Sequence, residues 1–137
     1  DLDGPGAEHV PFALTTAGYG FVNLLLCIVQ GLHGSIQGDS KALLEYVLTG
    51  VMVLVVTLMC STLAMTGRPR RVDIGHGVAT VLEVGLLLLY ASRAWTALGF
   101  TKPWVPQVTH LLMAAVSGAA LVANLFLRPG GEKAKEM

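Results

Sequence analysis

Four long apolar stretches, separated by short polar links, account for most of the chain. They cover about residues 11–31, 42–65, 77–99 and 104–127. Since a helix rises about 1.5 Å per residue, roughly 20 apolar residues cross the ~30 Å hydrocarbon core of a bilayer. The pattern predicts an all-α integral membrane protein, a bundle of four transmembrane helices that forms a single membrane domain over residues 1–137. The short first link makes the first two helices antiparallel neighbours, and Ser40 is a candidate N-cap for the second helix.

The balance of apolar and charged residues indicates that lipid is the surrounding solvent. Of the 137 residues, 53% are hydrophobic and only 13% are charged, whereas soluble domains carry roughly 25% charged residues. Nine basic and nine acidic residues give a formal net charge of zero. Because no basic stripe with interleaved aromatics occurs either, the sequence predicts no nucleic-acid partner.

Basic residues are divided unequally between the two predicted membrane faces. One face, with both polar termini and the link between the second and third spans, holds Arg68, Arg70, Arg71, Arg128, Lys133 and Lys135; the opposite face holds Lys41 and Lys102. By the positive-inside rule, the termini face the cytoplasm, the stroma or the matrix. The chain begins at Asp1 rather than Met, which removal of a targeting peptide or a change of numbering would each produce. A removed presequence would imply an organelle or a secretory route, and we expect an organellar location, in the thylakoid or the mitochondrial inner membrane.

Two charged residues, Glu83 and Arg93, lie inside the third apolar span, where an unpaired charge costs a few kcal/mol. They are about 15 Å apart along the helix axis, so they cannot pair with each other. The end of the bundle that contains Arg93 also contains Gln30, His33, Glu45 and His110. We expect Arg93 to form an ion pair with Glu45 in one structural polar layer, and contact with a lipid headgroup is the alternative.

Glu83 lies nearer the side of the termini, at a depth where a carboxyl is expected to be protonated and hydrogen-bonded. The candidate partners at that depth are Thr15, Tyr19, Cys60, Ser61 and Ser117. The functional alternatives are a proton or substrate relay and an axial ligand to the magnesium of a pigment. His110 and Asn124 are the other candidate chlorophyll contacts, and for His110 ordinary packing is the competing interpretation. Carotenoid and bound lipid are further candidate ligands.

Other cofactor and catalytic chemistry is disfavoured by the spacing of the candidate residues. Haem in a bundle requires two facing histidines at one depth, but His76 and His110 fall on opposite sides. Cys27 and Cys60 lie at different depths, so neither a disulfide nor a thiolate metal site is expected. The sequence contains no phosphate-binding loop, nucleophile elbow or HExxH motif, so we assign no catalytic residue and no metal ligand and do not expect an enzyme.

Several local features occur in the order found in one known family. Gly18 and Tyr19 come early in the first span, HGSIQGDS precedes the second, Arg93 is late in the third, and Lys102 and Pro103 open the fourth. In these features, over roughly residues 17–129, the chain resembles the small plastid fatty-acid export proteins and their mitochondrial relatives linked to haem metabolism. The resemblance implies a compact four-helix bundle that carries fatty acids or porphyrins.

Two functions follow from these observations. The first is a non-catalytic accessory subunit of a large organellar membrane complex, a photosystem or a respiratory assembly, which binds lipid or pigment and stabilises its neighbours. Its basis is the fourth span, where small residues recur at Ala114, Ala115, Ser117, Gly118, Ala119 and Ala123. The alternative, from the resemblance, is a small carrier of fatty acids or porphyrins. An ion channel ranks last, because no stripe of acidic or hydroxyl residues suggests a pore lining.

Overall fold

Four long helices form the protein, as the apolar pattern predicts. The computed structural model describes the backbone of residues 7–98 and 104–127, and the side chains of 8–95 and 108–127. After one turn of 3-10 helix at Ala7–His9, the helices are α1 (Val10–Ile36), α2 (Ala42–Met65), α3 (Pro69–Leu98) and α4 (Trp104–Phe126). Each contains a stretch long and apolar enough to cross a membrane. The all-α class and the four-helix bundle are confirmed.

The helices pack as two hairpins. Contact is most extensive between α1 and α2 and between α3 and α4, the pairs that are consecutive in the chain. Less extensive contacts, α1 with α4 and α2 with α3, close the bundle. The bundle therefore has two tight interfaces within the hairpins and two looser seams between them.

The third helix begins at Pro69, eight residues before the predicted start of its apolar span at residue 77. Proline suits the first helical position because its fixed φ is helical and its missing N–H would have no partner there. The carbonyl of Arg68 accepts the first helical hydrogen bond, from the Val72 N–H at 2.9 Å. Arg70 and Arg71 are therefore exposed on the first turn of α3 rather than in a loop.

The asymmetry of basic residues is visible in part of the structure. Arg68, Arg70 and Arg71 lie at the end of the bundle where α2 meets α3, whereas Lys41 lies at the opposite end, before α2. The remaining residues of the orientation argument, Lys102, Arg128, Lys133 and Lys135, lie outside the described residues.

The first helix continues to Ile36, beyond the predicted limit at residue 31, and ends in a Schellman motif. Gly38 has φ +100°, a conformation that glycine adopts without a steric penalty. The N–H of Asp39 donates to the Gly34 carbonyl at 3.0 Å, and that of Gly38 donates to the Ser35 carbonyl at 3.1 Å. This motif turns the chain directly into α2.

The predicted N-cap of the second helix is wrong by one residue. The N-cap is Lys41 rather than Ser40, and its side chain makes no capping hydrogen bond. The Asp39 carboxylate instead accepts a hydrogen bond from the Lys41 N–H at 3.1 Å. An acidic side chain therefore satisfies the helix start from two residues upstream.

Polar and apolar side chains are distributed opposite to those of a soluble protein. Large apolar side chains such as Leu14, Leu25 and Val81 are 69%, 62% and 73% exposed. The buried polar and charged residues are His9, Thr16, Asn23, Gln30, Thr57, Ser61, His76, Glu83, Thr109, His110, Ser117 and Asn124. In lipid this arrangement is stable, because apolar side chains meet hydrocarbon while polar ones find partners inside the bundle.

Gly75 allows α3 to approach α2 closely, and its substitution provides a test of this seam. A Cβ atom at Gly75 would lie 2.8 Å from the backbone carbonyl oxygen of Cys60. We therefore expect Gly75→Ala to lower the free energy of unfolding in detergent by about 1–3 kcal/mol. A Cβ at Gly77, on the same helix, would meet nothing within 4 Å. Gly77→Ala is thus the matched control, expected to be neutral or to stabilise by up to ~1 kcal/mol. Equal unfolding of the two variants would contradict the close approach.

Candidate functional site

Three of the buried polar residues of α4, His110, Ser117 and Asn124, are spaced seven residues apart. Seven residues are two helical turns, so the three side chains share one face and lie about 10 Å apart along the axis. Each bonds a side chain on another helix: Tyr46 for His110, Tyr19 for Ser117 and His76 for Asn124. We call the resulting three layers of paired side chains the polar column.

The layer nearest the Arg-rich end is the Glu83 cluster, formed by His76, Thr80 and Glu83 on α3 and Asn124 on α4. The α3 members are four and three residues apart, so they share the face that packs against α4. The Asn124 Nδ2 donates to the Glu83 Oε1 at 3.2 Å and to the Thr80 Oγ1 at 2.8 Å. One amide therefore joins two turns of the neighbouring helix.

The orientation of Asn124 also fixes the proton on His76. The Asn124 Oδ1 lies 2.7 Å from the His76 Nδ1, and an amide oxygen can only accept a hydrogen bond. The His76 Nδ1 is therefore protonated and donates. The Phe12 ring stacks on this imidazole with 3.8 Å between ring centroids, and the Thr80 hydroxyl donates to the His76 carbonyl at 2.7 Å. The His76 ring therefore contacts Asn124 and Phe12, and the His76 backbone carbonyl accepts a hydrogen bond from Thr80.

Glu83 has a different partner from those proposed from depth alone. Its carboxyl bonds Asn124, which the sequence argument treated only as a candidate pigment contact. Tyr19 and Ser117 bond each other at 2.6 Å, and the Ser61 hydroxyl donates to backbone carbonyls. Glu83 is 0% exposed, and its second oxygen, Oε2, has no hydrogen-bond partner among the described residues.

The middle of the polar column contains a second set of bonds between α1 and α3. The Tyr90 hydroxyl donates to the Asn23 Oδ1 at 2.9 Å, and the Asn23 Nδ2 points to the Cys27 sulfur at 3.7 Å. The same sulfur lies 3.9 Å from the Tyr90 hydroxyl. Both Cys27 and Cys60 are free, buried thiols, and Cys27 acts as a weak hydrogen-bonding group in this set.

At the far end of the column, three helices meet at one hydroxyl. The Tyr46 oxygen accepts a hydrogen bond from the Arg93 Nη1 at 3.1 Å and lies 3.0 Å from the His110 Nε2. The Arg93 guanidinium also lies 5.5 Å from the centre of the Tyr46 ring, within the range of a cation–π contact. The Tyr46 hydroxyl thus links α2, α3 and α4.

The expected ion pair between Glu45 and Arg93 is absent from the described side chains. His9 lies 3.3 Å from the Glu8 carboxylate, whereas Arg93 contacts Tyr46. Consecutive residues on a helix point about 100° apart, so the side chain after Glu45 faces the interior while Glu45 itself is exposed. The prediction placed Arg93 at the correct end of α2 but next to the wrong side chain.

The three candidate pigment contacts are interior residues. Glu83, His110 and Asn124 are 0%, 5% and 2% exposed, and each bonds other side chains of the chain. A pigment dissolved in the surrounding lipid would not reach them without separating helices. As pigment contacts they stay predictions. Within residues 7–98 and 104–127, no group of three His, Cys, Asp or Glu side chains could hold a metal ion.

The outer surface has shallow apolar grooves at the two seams. The α1/α4 groove, of about 310 Å³, is lined by Thr15, Tyr19, Val22, Val116, Ala119, Ala120 and Ala123. The α2/α3 groove, of about 360 Å³, is lined by Val56, Gly77, Val78, Val81 and Leu82. Both open sideways towards lipid, and their linings suit an acyl chain or the side of another helix.

Sequence reasoning missed Tyr46, Tyr90 and Asn23 as parts of this site. One signal was available: Tyr19, Asn23 and Cys27 are four residues apart, which places them on one face of α1. The seven-residue spacing of His110, Ser117 and Asn124 on α4 was a second signal in the sequence. Both identify an inward face that apolar periodicity does not reveal.

The bridge made by Asn124 is open to a double-mutant cycle. Asn124→Leu leaves the Glu83 carboxyl and the His76 ring without their shared partner, so we expect a loss of about 1–2 kcal/mol in unfolding free energy in detergent. The double variant Asn124→Leu/Glu83→Leu should recover part of that loss, because no carboxyl is then left unpaired. Strictly additive effects of Asn124→Leu and Glu83→Leu would refute the bridge.

The contact of Arg93 with Tyr46 gives a second stability test. Tyr46→Phe removes the shared hydroxyl, so it should lower the unfolding free energy by about 1–2 kcal/mol. Glu45→Gln, one residue earlier, should change it by less than about 1 kcal/mol, since an exposed first-turn carboxylate contributes only through the helix dipole. The reverse order, measured by thermal unfolding in detergent, would favour the ion pair with Glu45.

Comparison with known proteins assigns no function to these residues. No protein-family model, no curated protein and no solved structure matches the chain. The resemblance to plastid fatty-acid exporters therefore stays a prediction from local features.

Proposed function

We propose that the protein is a non-catalytic accessory subunit of a larger membrane complex. The described polar groups are mostly bonded to one another inside the bundle, which suits a stable structural element. The outer faces carry large exposed apolar side chains on α1, α2, α3 and α4. Lipid or neighbouring transmembrane helices are the partners that such faces accept.

The single observation that carries this proposal is the exposed small-residue strip on α4. Ala115 and Ala119 are exposed and four residues apart, and Ala123 continues the series at the edge of the α1/α4 groove. Membrane helices associate through such faces because small side chains let two backbones approach closely. In the described chain these alanines are not buried by another helix. A helix of a partner subunit would complete the packing.

We extend the proposal to the host and its location. The low charge, the predicted orientation and the two polar termini suit a photosystem or respiratory assembly in the thylakoid or mitochondrial inner membrane. Lipid, chlorophyll or carotenoid would then lie in the outer grooves, at the junction with the neighbouring subunit. The termini would face the stroma or matrix.

The alternative proposal is a carrier of fatty acids or porphyrins. The grooves at the α1/α4 and α2/α3 seams favour it, since a long apolar molecule could enter sideways from lipid. Against it, the described helices run without an interruption in mid-span, whereas transporter sites often lie at broken helices.

The α4 strip is tested by enlarging one alanine. We expect Ala119→Leu to displace the protein from its complex in native separation of mild-detergent extracts, because a leucine there prevents close helix approach. Ala91→Leu adds the same side chain on an exposed position of α3 and should leave comigration intact. Mass spectrometry and the absorption spectrum of the band identify the partner subunits and any pigment.

The same experiment separates the two proposals. Comigration of the unmodified chain with a large complex, lost in Ala119→Leu alone, supports the accessory role. Migration of the unmodified chain at small size, with copurified fatty acid or porphyrin, overturns that role and favours the carrier.

A further inference from the structure

A purely structural role does not explain why Glu83 is an acid. The carboxyl is completely buried halfway along α3, yet only its Oε1 has a hydrogen-bond partner among the described residues. A glutamine could accept the same bond from Asn124 through its side-chain oxygen. What distinguishes glutamate is that it can bind and release a proton.

The protonation of Glu83 can be assigned from its bonds. Because the Oε1 accepts from the Asn124 Nδ2, the proton of the neutral acid belongs on the Oε2. At membrane depth the neutral form avoids the cost of an unpaired charge. The titratable groups that face the carboxyl are Tyr19 from α1, Cys60 from α2 and His76 from α3. The described part of α4 adds only the neutral Asn124 and Ser117.

Groups that exchange protons lie on both sides of Glu83. Towards the Arg-rich end, His76 shares Asn124 with Glu83, and an imidazole gains and loses protons near neutral pH. Towards the other end, the Tyr19 and Ser117 hydroxyls pair at 2.6 Å, and beyond them the Tyr90 hydroxyl donates to the Asn23 amide oxygen at 2.9 Å. The column ends at Tyr46 and His110, 3.0 Å apart.

The far end of the column is oriented by Arg93. Its guanidinium donates to the Tyr46 oxygen, and the same hydroxyl lies within hydrogen-bond distance of the His110 Nε2, at 3.0 Å. Arg93 lies in the last turn of the candidate membrane span Pro69–Trp95, so its long side chain reaches towards the lipid headgroups and this last pair lies near the membrane surface.

We propose that the polar column conducts protons across the membrane, with Glu83 as the proton-binding group at its centre. The layers are about 10 Å apart along α4, a gap that hydrogen bonds alone do not span, so the proposed path includes water between them. Protons move between the carboxyl, imidazole and hydroxyl groups through this water, so only O–H and N–H bonds change, while the Asn23 and Asn124 amides orient their neighbours and carry no proton themselves. One proton enters the column for each that leaves at the opposite face. This activity is independent of the accessory role and belongs to the isolated chain.

The test is proton flux into liposomes that contain the purified chain. Vesicles of phosphatidylcholine carry a trapped pH-sensitive dye, and a potassium gradient with valinomycin sets the membrane potential. We expect flux well above that of protein-free vesicles, and a fall of at least about tenfold in Glu83→Gln, as for a relay that depends on one intramembrane acid. Glu83→Asp should retain part of the flux. Glu45→Gln, which alters an exposed carboxylate outside the column, should keep the full flux.

A second variant tests the proposal even if Glu83→Gln fails to fold. Tyr19→Phe keeps the ring but removes the hydroxyl that bonds Ser117, and it should also reduce flux about tenfold. Infrared spectra of the folded protein should show the band of a protonated carboxylic acid, lost in Glu83→Gln. Flux equal to that of protein-free vesicles, or full flux in folded Glu83→Gln or Tyr19→Phe, would overturn the proposal.

Discussion

Hydrocarbon accepts and donates no hydrogen bonds, and this constraint decides where each polar side chain of the bundle lies. A polar group that faced lipid would lose its hydrogen bonds without replacement, so the polar groups turn inward and pair across helices. Asn124 shows the result most clearly, since one amide bonds His76, Thr80 and Glu83. Loss of this amide would leave several buried groups unsatisfied at once. The packing of α3 against α4 therefore depends on polar bonds as well as on apolar contact.

The sequence predicts how deep each residue lies in the membrane, but it does not predict which residues of a helix face the interior of the bundle. Counting residues brought Arg93 to the start of α2 but selected Glu45, although the structure uses Tyr46. In a soluble helix, an apolar stripe marks the inward face. In this bundle the lipid-facing side of each helix is apolar too, so only the positions of polar residues indicate which side of the helix faces inward. The early start of α3 was missed for a related reason: charged residues such as Arg70 indicate water, and a helix can continue into water.

The two tight hairpins and the two looser seams separate the chemistry of the interior from that of the surface. The polar column lies inside, while Ala115, Ala119 and the grooves face outward. Tyr19 belongs to both, since its ring lines the α1/α4 groove and its hydroxyl bonds Ser117. A molecule or helix seated in that groove would contact the wall of the column. The surface can therefore influence the interior at one defined position.

The extra length of α3 lies at its charged start and anchors one end of the bundle at the membrane surface. It has 30 residues and α2 has 24, a difference of six residues or about 9 Å along the axis. The surplus carries Arg70 and Arg71, whose charges attract lipid phosphates and resist immersion in the hydrocarbon. The apolar part of α3 begins at about residue 77 and is close to α2 in length, so the charged first turns of α3 extend beyond the hydrocarbon. Arg70 and Arg71 then anchor that end of the bundle among the headgroups and limit how far it shifts along the membrane normal.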